Sequence, residues 1–227
     1  MRKITLPLLL CLLLFGCKNN DYTPKPYAYL RIDLPGHNYW IVDTLRHPDP
    51  PYWVHTAEGD SMLVLAHEKP YVTFPIIFEA NTCIELAEKD SPAGEQWLDI
   101  RYPQWDGVVF LTYRRLRSPD SLRSQIDESL RYLEQHYEFA SGLEEQSYED
   151  TENHVYGTVY YIKGSRVAST CQFWLTDSTH NFLRGALYLN RAPNNDSLAP
   201  VINYMQADIE HLVETLRWRD GYSVKKN

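Results

Sequence analysis

The densest group of chemically reactive residue types in this sequence is Asp177, Ser178 and His180. These are the residue types of a catalytic triad, but they crowd into one short stretch. Triad side chains instead converge from separate segments onto one acyl group. No Gly-x-Ser-x-Gly sequence, which would place a serine on a strained turn, occurs in the chain. The spacing therefore predicts a polar hairpin turn at 177–181 and not a nucleophilic site.

Metal-ligand and acid–base patterns are also missing from the sequence. Four early histidines are irregularly spaced, and neither His-Glu-x-x-His nor Cys-x-x-Cys occurs: His37, His47, His55 and His67. The adjacent Glu144 and Glu145 would face opposite sides of a strand, so they could not act on one bond. No glycine-rich loop precedes a helix. We expect solvated loop histidines, no catalytic residue, no metal and no cofactor.

The first 17 residues predict export and lipidation. Arg2 and Lys3 precede an apolar run of about a dozen residues, shorter than the roughly 20 that span a bilayer as a helix. Such a pattern is typical of an export signal. The run ends in Leu-Phe-Gly-Cys, which resembles the lipobox of bacterial lipoproteins. We expect residues 1–16 to be a signal peptide and Cys17 to carry acyl chains, such as palmitate. More than one chain is needed for stable anchoring.

The segment after Cys17 predicts a tether, and the remaining cysteines leave a disulfide open. Residues 17–27 are polar and then proline-rich, a composition typical of an extended linker. Cys11 would leave with the signal, so only Cys83 and Cys171 could pair. Disulfides persist outside the cytoplasm. Against a disulfide, both cysteines lie in apolar, strand-like sequence, which fits separate buried thiols.

Charge and aromatic content narrow the choice of partners. The full chain carries 22 basic and 30 acidic residues, and loss of the signal would make its net charge of −8 more negative. This charge, with no long basic cluster, argues against binding nucleic acid. The 17 tyrosines and 6 tryptophans suit half-buried strand positions. They also suit a contact surface, and both interpretations stay open.

The pattern of apolar residues predicts an α+β fold built on an antiparallel sheet with flanking helices. Residues 28–35, 97–102 and 107–114 read as strands, and 155–162, 167–176 and 182–190 read as three successive antiparallel strands. A helix begins at Ser118 and Pro119, a cap followed by a proline in the first turn. A last helix is expected at about 196–218, followed by a loose tail at 219–227.

Five positions share an Asp, a hydroxyl residue and then an apolar residue or Thr. This pattern resembles the O-glycosylation sequon of exported Bacteroidetes proteins. The candidate acceptors are Thr44, Ser61, Ser121, Ser178 and Ser197. Three of them fall at predicted helix starts or in the hairpin turn, where Asp and Ser also cap the backbone.

Two stretches of the sequence resemble the GldD family of gliding-motility-associated lipoproteins of the Bacteroidetes. The first is 24–35, and the second is 171–190, continuing through 194–201. Residues 208–218 are similar to the closing helix of that family. The resemblance implies a role in gliding motility and the linked protein-secretion apparatus, without a catalytic mechanism. The order of elements also resembles the Mog1/PsbP-like fold, which says little about function.

Together these observations predict a non-enzymatic outer-membrane lipoprotein with one domain at 28–218 that docks to an envelope protein complex. Lys18 follows Cys17, where Asp would commonly mark inner-membrane retention. We expect the periplasmic face, with the cell surface as the alternative. Loops often carry function, so the partner contact is expected around 176–183. Its candidate residues are Asp177, Ser178, Phe182 and Arg184.

Two other functions stay open at this point. One is a lipid-anchored envelope hydrolase, which would need acidic or hydroxyl side chains that converge in a pocket. The other is a lipoprotein that binds a glycan or an apolar ligand through its aromatic side chains.

Overall fold

The structure is a computed structural model. It describes residues 32–43, 75–89, 92–191 and 193–219, together with the strand backbone at 52–55 and 61–64. In chain order the elements are β1 (Tyr39–Asp43), β2 (Tyr52–His55), β3 (Ser61–Val64), β4 (Ile76–Asn81), β5 (Glu85–Lys89), β6 (Glu95–Tyr102), β7 (Gly107–Arg115), α1 (Pro119–Glu134), β8 (Gly142–Asp150), β9 (Val155–Lys163), β10 (Ser169–Thr176), β11 (Asn181–Leu189), α2 (Asn195–Thr215) and β12 (Arg217–Trp218). Within the described part of the chain, no helix is both long and apolar enough to cross a bilayer.

A seven-stranded antiparallel sheet is the centre of the fold. Its strand order is β5-β6-β7-β11-β10-β9-β8. A three-stranded sheet has the order β1-β4-β12, and β2 pairs with β3. These antiparallel sheets with two helices confirm the predicted α+β class. The Mog1/PsbP likeness stays a prediction.

The best-predicted region is the second half of the large sheet. β9, β10 and β11 follow one another as antiparallel neighbours, as their period-two pattern predicts. Helix α1 begins as predicted. Ser118 is its N-cap, and Ser118 and Ser121 form reciprocal capping hydrogen bonds.

Two predicted elements differ in the structure. Residues 32–38 form no regular secondary structure, although a strand is expected at 28–35. Ile32 and Leu34 do pack against the core, so the alternation reflects burial without strand pairing. Helix α2 ends at Thr215 instead of Trp218, because Arg217 and Trp218 pair with β4.

The two faces of the seven-stranded sheet carry different layers, and period-two alternation assigns each residue to one of them. Cys171, Phe173 and Leu175 of β10 belong to the large core that includes α2 and the three-stranded sheet. We call this the α2 face. Gln172 and Trp174 point to the opposite side, where α1 packs. We call that the α1 face.

Candidate functional site

The most concentrated group of polar side chains surrounds Asp208 on α2. Asp208 lies between Met205 and Leu212, one turn away on either side, on the helix stripe that faces the core. Asp208 is only 6% exposed. Burying a carboxylate is costly unless hydrogen bonds or opposite charges compensate it, so its partners decide what the site can do.

Four side chains from other segments contact this carboxylate. His37 Nδ1 lies 2.8 Å from Oδ1, and the Tyr39 hydroxyl donates to the same oxygen at 3.1 Å. Asn81 Nδ2 lies 3.0 Å from Oδ1 and 3.1 Å from Oδ2. The Tyr102 hydroxyl donates to Oδ2 at 3.1 Å. With Tyr204, these residues are the Asp208 cluster: His37, Tyr39, Asn81, Tyr102, Tyr204 and Asp208.

Tyr204 links the carboxylate to an outer ring of side chains. Its hydroxyl accepts a hydrogen bond from Asn81 Nδ2 at 2.7 Å and lies 3.7 Å from Cys83 Sγ. Its ring stacks on His37 with centroids 4.1 Å apart, and Trp105 packs edge-on at 5.1 Å. Aromatic rings therefore pack around Tyr204 within the cluster.

A histidine–glutamate pair extends the cluster along α2. The ring of His211, one turn after Asp208, stacks on Tyr39 with centroids 3.6 Å apart. His211 Nε2 lies 2.7 Å from Glu79 Oε2 on β4. Helix α2, β1 and β4 are thus joined by polar side chains as well as by the core.

Burial keeps the hydroxyl and thiol groups of this region protonated. Burial first, and the Asp208 charge second, raise the pKa of Tyr39 and of Tyr102. Burial is also the main cause that raises the pKa of Tyr204 and of Cys83. At neutral pH the tyrosines therefore remain hydrogen-bond donors and Cys83 remains a thiol, a poor nucleophile.

The Asp208 cluster holds separate segments of the chain together, and we call this arrangement a structural clasp. A carboxylate offers about four lone-pair sites, and contacts from His37, Tyr39, Asn81 and Tyr102 already fill them. A general base needs an oxygen directed at a substrate proton, and here both oxygens face internal partners. What the cluster does is fasten residues 36–39 and the ends of β4 and β6 to α2.

His37 is exposed in the irregular segment 32–38, as the sequence predicts, and its ring also contacts Asp208 at 2.8 Å, which the sequence did not predict. His47, His67 and the side chain of His55 lie outside the described residues. Among the described residues, no group of three or more His, Cys, Asp or Glu side chains is arranged to hold a metal ion.

The cluster was missed from the sequence because its members lie up to 171 positions apart. One signal was available. Asp208 occupies an apolar position of the α2 stripe, and a buried acid requires donors from neighbouring segments.

The predicted contact region, 176–183, forms a tightly bonded turn. Asp177 Oδ1 accepts from the backbone N–H groups of Thr179, His180 and Asn181 at 2.7–2.9 Å. Asp177 Oδ2 accepts from Asn181 Nδ2 at 2.7 Å. Asp177 thus stabilises its own turn, as the prediction of a polar hairpin turn requires.

The predicted contact residues have unequal access to a partner. Asp177 and Phe182 are buried, whereas Ser178 is exposed. Arg184 is half-buried, stacks over the Tyr132 ring at 4.4 Å and donates to Gln172 Oε1 at 3.1 Å. The contact region stays a prediction. Of its four candidate residues, the exposed Ser178 and the half-buried Arg184 are the ones that a partner could reach.

The remaining predicted sites are placed as follows. Cys83 and Cys171 are both free thiols, and Cys171 is fully buried. Ser121 and Ser197 lie in the first turns of α1 and α2, and Ser121 is engaged in capping. Cys17, Thr44 and the side chain of Ser61 lie outside the described residues. Glycosylation and lipidation stay predictions.

The fold and this cluster define an α+β domain in which a buried polar cluster joins α2 to β1, β4 and β6. A family model described as gliding motility lipoprotein GldD matches residues 65–218. This span is more than half of the chain, so the protein belongs to the GldD family of gliding motility lipoproteins. Membership links it to gliding motility and to a membrane-associated place in the envelope. No curated protein matches the chain.

Proposed function

We propose that this protein is a non-enzymatic lipoprotein of the outer membrane that docks to partners of the gliding and secretion apparatus. Its family supports the link to motility. The observation that carries the docking function is the saturated carboxylate of Asp208. Both oxygens of this buried carboxylate are already in contact with side chains of the chain itself.

In this proposal, the Asp208 cluster connects the segment that follows the tether to the core of the domain. A lipid on Cys17 would hold the chain to the periplasmic face of the membrane, and residues 17–27 would form the tether. The first described residues, 32–43, follow that tether in the chain. His37 and Tyr39 join them to α2, and β1 pairs with β4. A pull on the tether would therefore be passed to the core.

The anchor is tested by replacing its lipid acceptor. In a gliding strain that carries this chain in place of its own family member, Cys17→Ser should release the protein from membranes and abolish colony spreading. Cys11→Ser is the matched control, since it changes a cysteine of the signal and leaves the lipobox intact. Normal spreading with an unlipidated, soluble protein would overturn the proposal. Gradient fractionation and protease treatment of intact cells test the membrane and the face.

One observation favours glycan binding as a second candidate function. A cleft of about 420 Å³ lies between α2 and the β8–β9 pair, and both polar and apolar side chains line it. Tyr161 supplies an aromatic ring, and Asn203 and Gln206 supply amides. Calorimetric titration with soluble envelope glycan fragments tests this candidate. Binding lost in Asn203→Ala would support it, and absence of heat with every fragment would remove it.

A further inference from the structure

Strand β8 is an open edge of the seven-stranded sheet. It has nine residues, and β9 pairs with it on one side across all nine positions without a register shift. It stands at the end of the strand order, so no described strand pairs with its other side. An edge of this kind offers a row of backbone donors and acceptors to an added strand.

The edge carries acidic charge and no basic residue. Two of its four acids are engaged: Glu144 with Lys163 at 2.8 Å, and Asp150 with Arg217 at 3.7 Å. Glu145 and Glu149 are exposed, and neither forms an ion pair with a described residue. They are four positions apart on a strand, so both point to the same face.

Three exposed apolar side chains lie on β8 or in the segment just before it. Leu143 is 42% exposed, Phe139 47% and Tyr137 49%. Leu143 lies opposite Ile162, as Glu145 lies opposite Tyr160, which places both on the α1 face. We name this set the β8 edge surface: Tyr137, Phe139, Leu143, Glu145 and Glu149.

We propose that the β8 edge surface binds an extended segment of a partner protein, which adds to the sheet as an antiparallel strand. The partner segment carries two basic residues four positions apart, facing Glu149 and Glu145, and an apolar residue two positions later, facing Leu143. Main-chain hydrogen bonds supply affinity in this mode, and alternate side chains supply specificity. This inference rests on the proposed docking function and names its surface.

The acidic charge of β8 favours a basic partner segment over the β8 strand of a second copy of this chain. β8 contains no Lys or Arg, so pairing of two β8 strands would bring acids together without compensation. Like charges placed opposite each other destabilise strand pairs. The other edge of the sheet is less suited, because β5 has five residues and its Lys89 is already paired with Asp99 at 2.9 Å.

The test uses the full lipidated chain in detergent and a designed peptide. The peptide has nine residues of alternating Thr and Val, with lysine at its second and sixth positions and leucine at its eighth. A matched peptide carries glutamate in place of both lysines. We expect the lysine peptide to bind at least about threefold tighter at low salt, with the difference shrinking as salt is added. Hydrogen exchange should slow at alternate amides of β8.

Paired variants make the result specific. Glu145→Gln with Glu149→Gln should weaken the lysine peptide roughly three- to tenfold, since each exposed pair contributes up to about 1 kcal/mol. Asp127→Asn with Glu134→Gln removes two exposed charges from α1 and should leave affinity unchanged. Equal binding of both peptides, no binding, or protection that maps away from β8 would each overturn the inference. So would binding seen only after removal of residues 220–227, since the chain's own tail would then be the occupant.

The inference and the docking function can fail separately. If cells with the β8 variants spread normally while Cys17→Ser cells do not, docking stands and uses another surface. If Cys17→Ser cells spread as well, the proposed function itself is wrong.

Discussion

The two faces of the seven-stranded sheet are built differently. On the α2 face, a continuous core joins the sheet, α2 and the three-stranded sheet, and the buried acid Asp208 is hydrogen-bonded at both carboxylate oxygens. On the α1 face, the buried apolar cluster is smaller and contains Leu133, Tyr160, Ile162 and Val167, and the buried Phe182 stacks on Trp174 beside it. Stability is therefore expected to come mainly from the α2 face.

Polar groups fill much of the α1 face. Arg114 pairs with Glu95 and Glu128, and a cavity of about 280 Å³ lies between this group and α1. Arg184 lines the same cavity without an ion pair to a described carboxylate. Gln172 Nε2 is buried without a hydrogen-bond partner among the described residues. The α2 face therefore holds most of the buried apolar core, whereas the α1 face combines a smaller apolar cluster with polar groups and a cavity.

The comparison predicts the largest loss of stability at Asp208. Asp208→Ala should lower the free energy of unfolding by about 3–5 kcal/mol, because it leaves several buried donors without an acceptor. Asp196→Ala, in the exposed first turn of the same helix, should cost under about 1 kcal/mol. Urea denaturation of the detergent-solubilised protein measures both. A loss below about 1 kcal/mol in Asp208→Ala would contradict the claim that stability comes mainly from the α2 face.

Truncation of a buried apolar side chain should also lower the free energy of unfolding more on the α2 face than on the α1 face. Phe173→Ala on the α2 face should cost about 3–5 kcal/mol. Leu133→Ala on the α1 face should cost about 2–3 kcal/mol, since a small cluster can collapse more easily around the lost volume. The same denaturation experiment compares them, and equal or reversed costs would contradict the assignment of stability to the α2 face.

The two arginines of the α1 face give a smaller contrast. Arg114→Met should destabilise by about 1–3 kcal/mol, because two half-buried carboxylates lose their partner. Arg184→Met should cost about 1 kcal/mol or less, because Arg184 donates one side-chain hydrogen bond, to Gln172. Thermal unfolding resolves this difference. A larger cost at Arg184 would show that its stacking on Tyr132 matters more than the ion pairs of Arg114.

The smallest effect concerns pH and His136. Burial, followed by the nearby Arg184 charge, lowers the pKa of His136. The unfolded chain therefore takes up this proton first, and stability falls as pH drops below about 6.5 towards the lower folded-state pKa. His136→Gln should make stability less dependent on pH between about 7 and 5, by under about 1 kcal/mol since the ring is half-exposed. An unchanged pH profile would contradict this.

The same contrast explains what the sequence could predict. β9, β10 and β11 alternate clearly because one of their faces meets the large core, and α1 shows its cap at Ser118. β8 could not be recognised, because its residues are exposed or half-exposed on both faces and leave no alternation. β12 forms because Arg217 and Trp218 pair with the distant strand β4. Since the apolar residues keep helical spacing in this region, the sequence predicts that the helix continues to Trp218.

The Asp208 cluster escaped sequence reasoning for a related reason. Each member has an unremarkable local sequence, and only the fold brings His37, Asn81 and Tyr102 to α2. Asp177 shows the opposite case. Its partners lie within four positions, so the interpretation as a polar turn followed directly from spacing.

The most direct test of the account asks whether Asp208 acts through folding or through chemistry. In the gliding strain described above, wild-type protein and Asp208→Asn are expressed over a range of levels, and colony spreading is plotted against folded, membrane-bound protein. The account predicts that both sets of points fall on one curve. Cells that hold a wild-type amount of folded Asp208→Asn protein and fail to spread would contradict it.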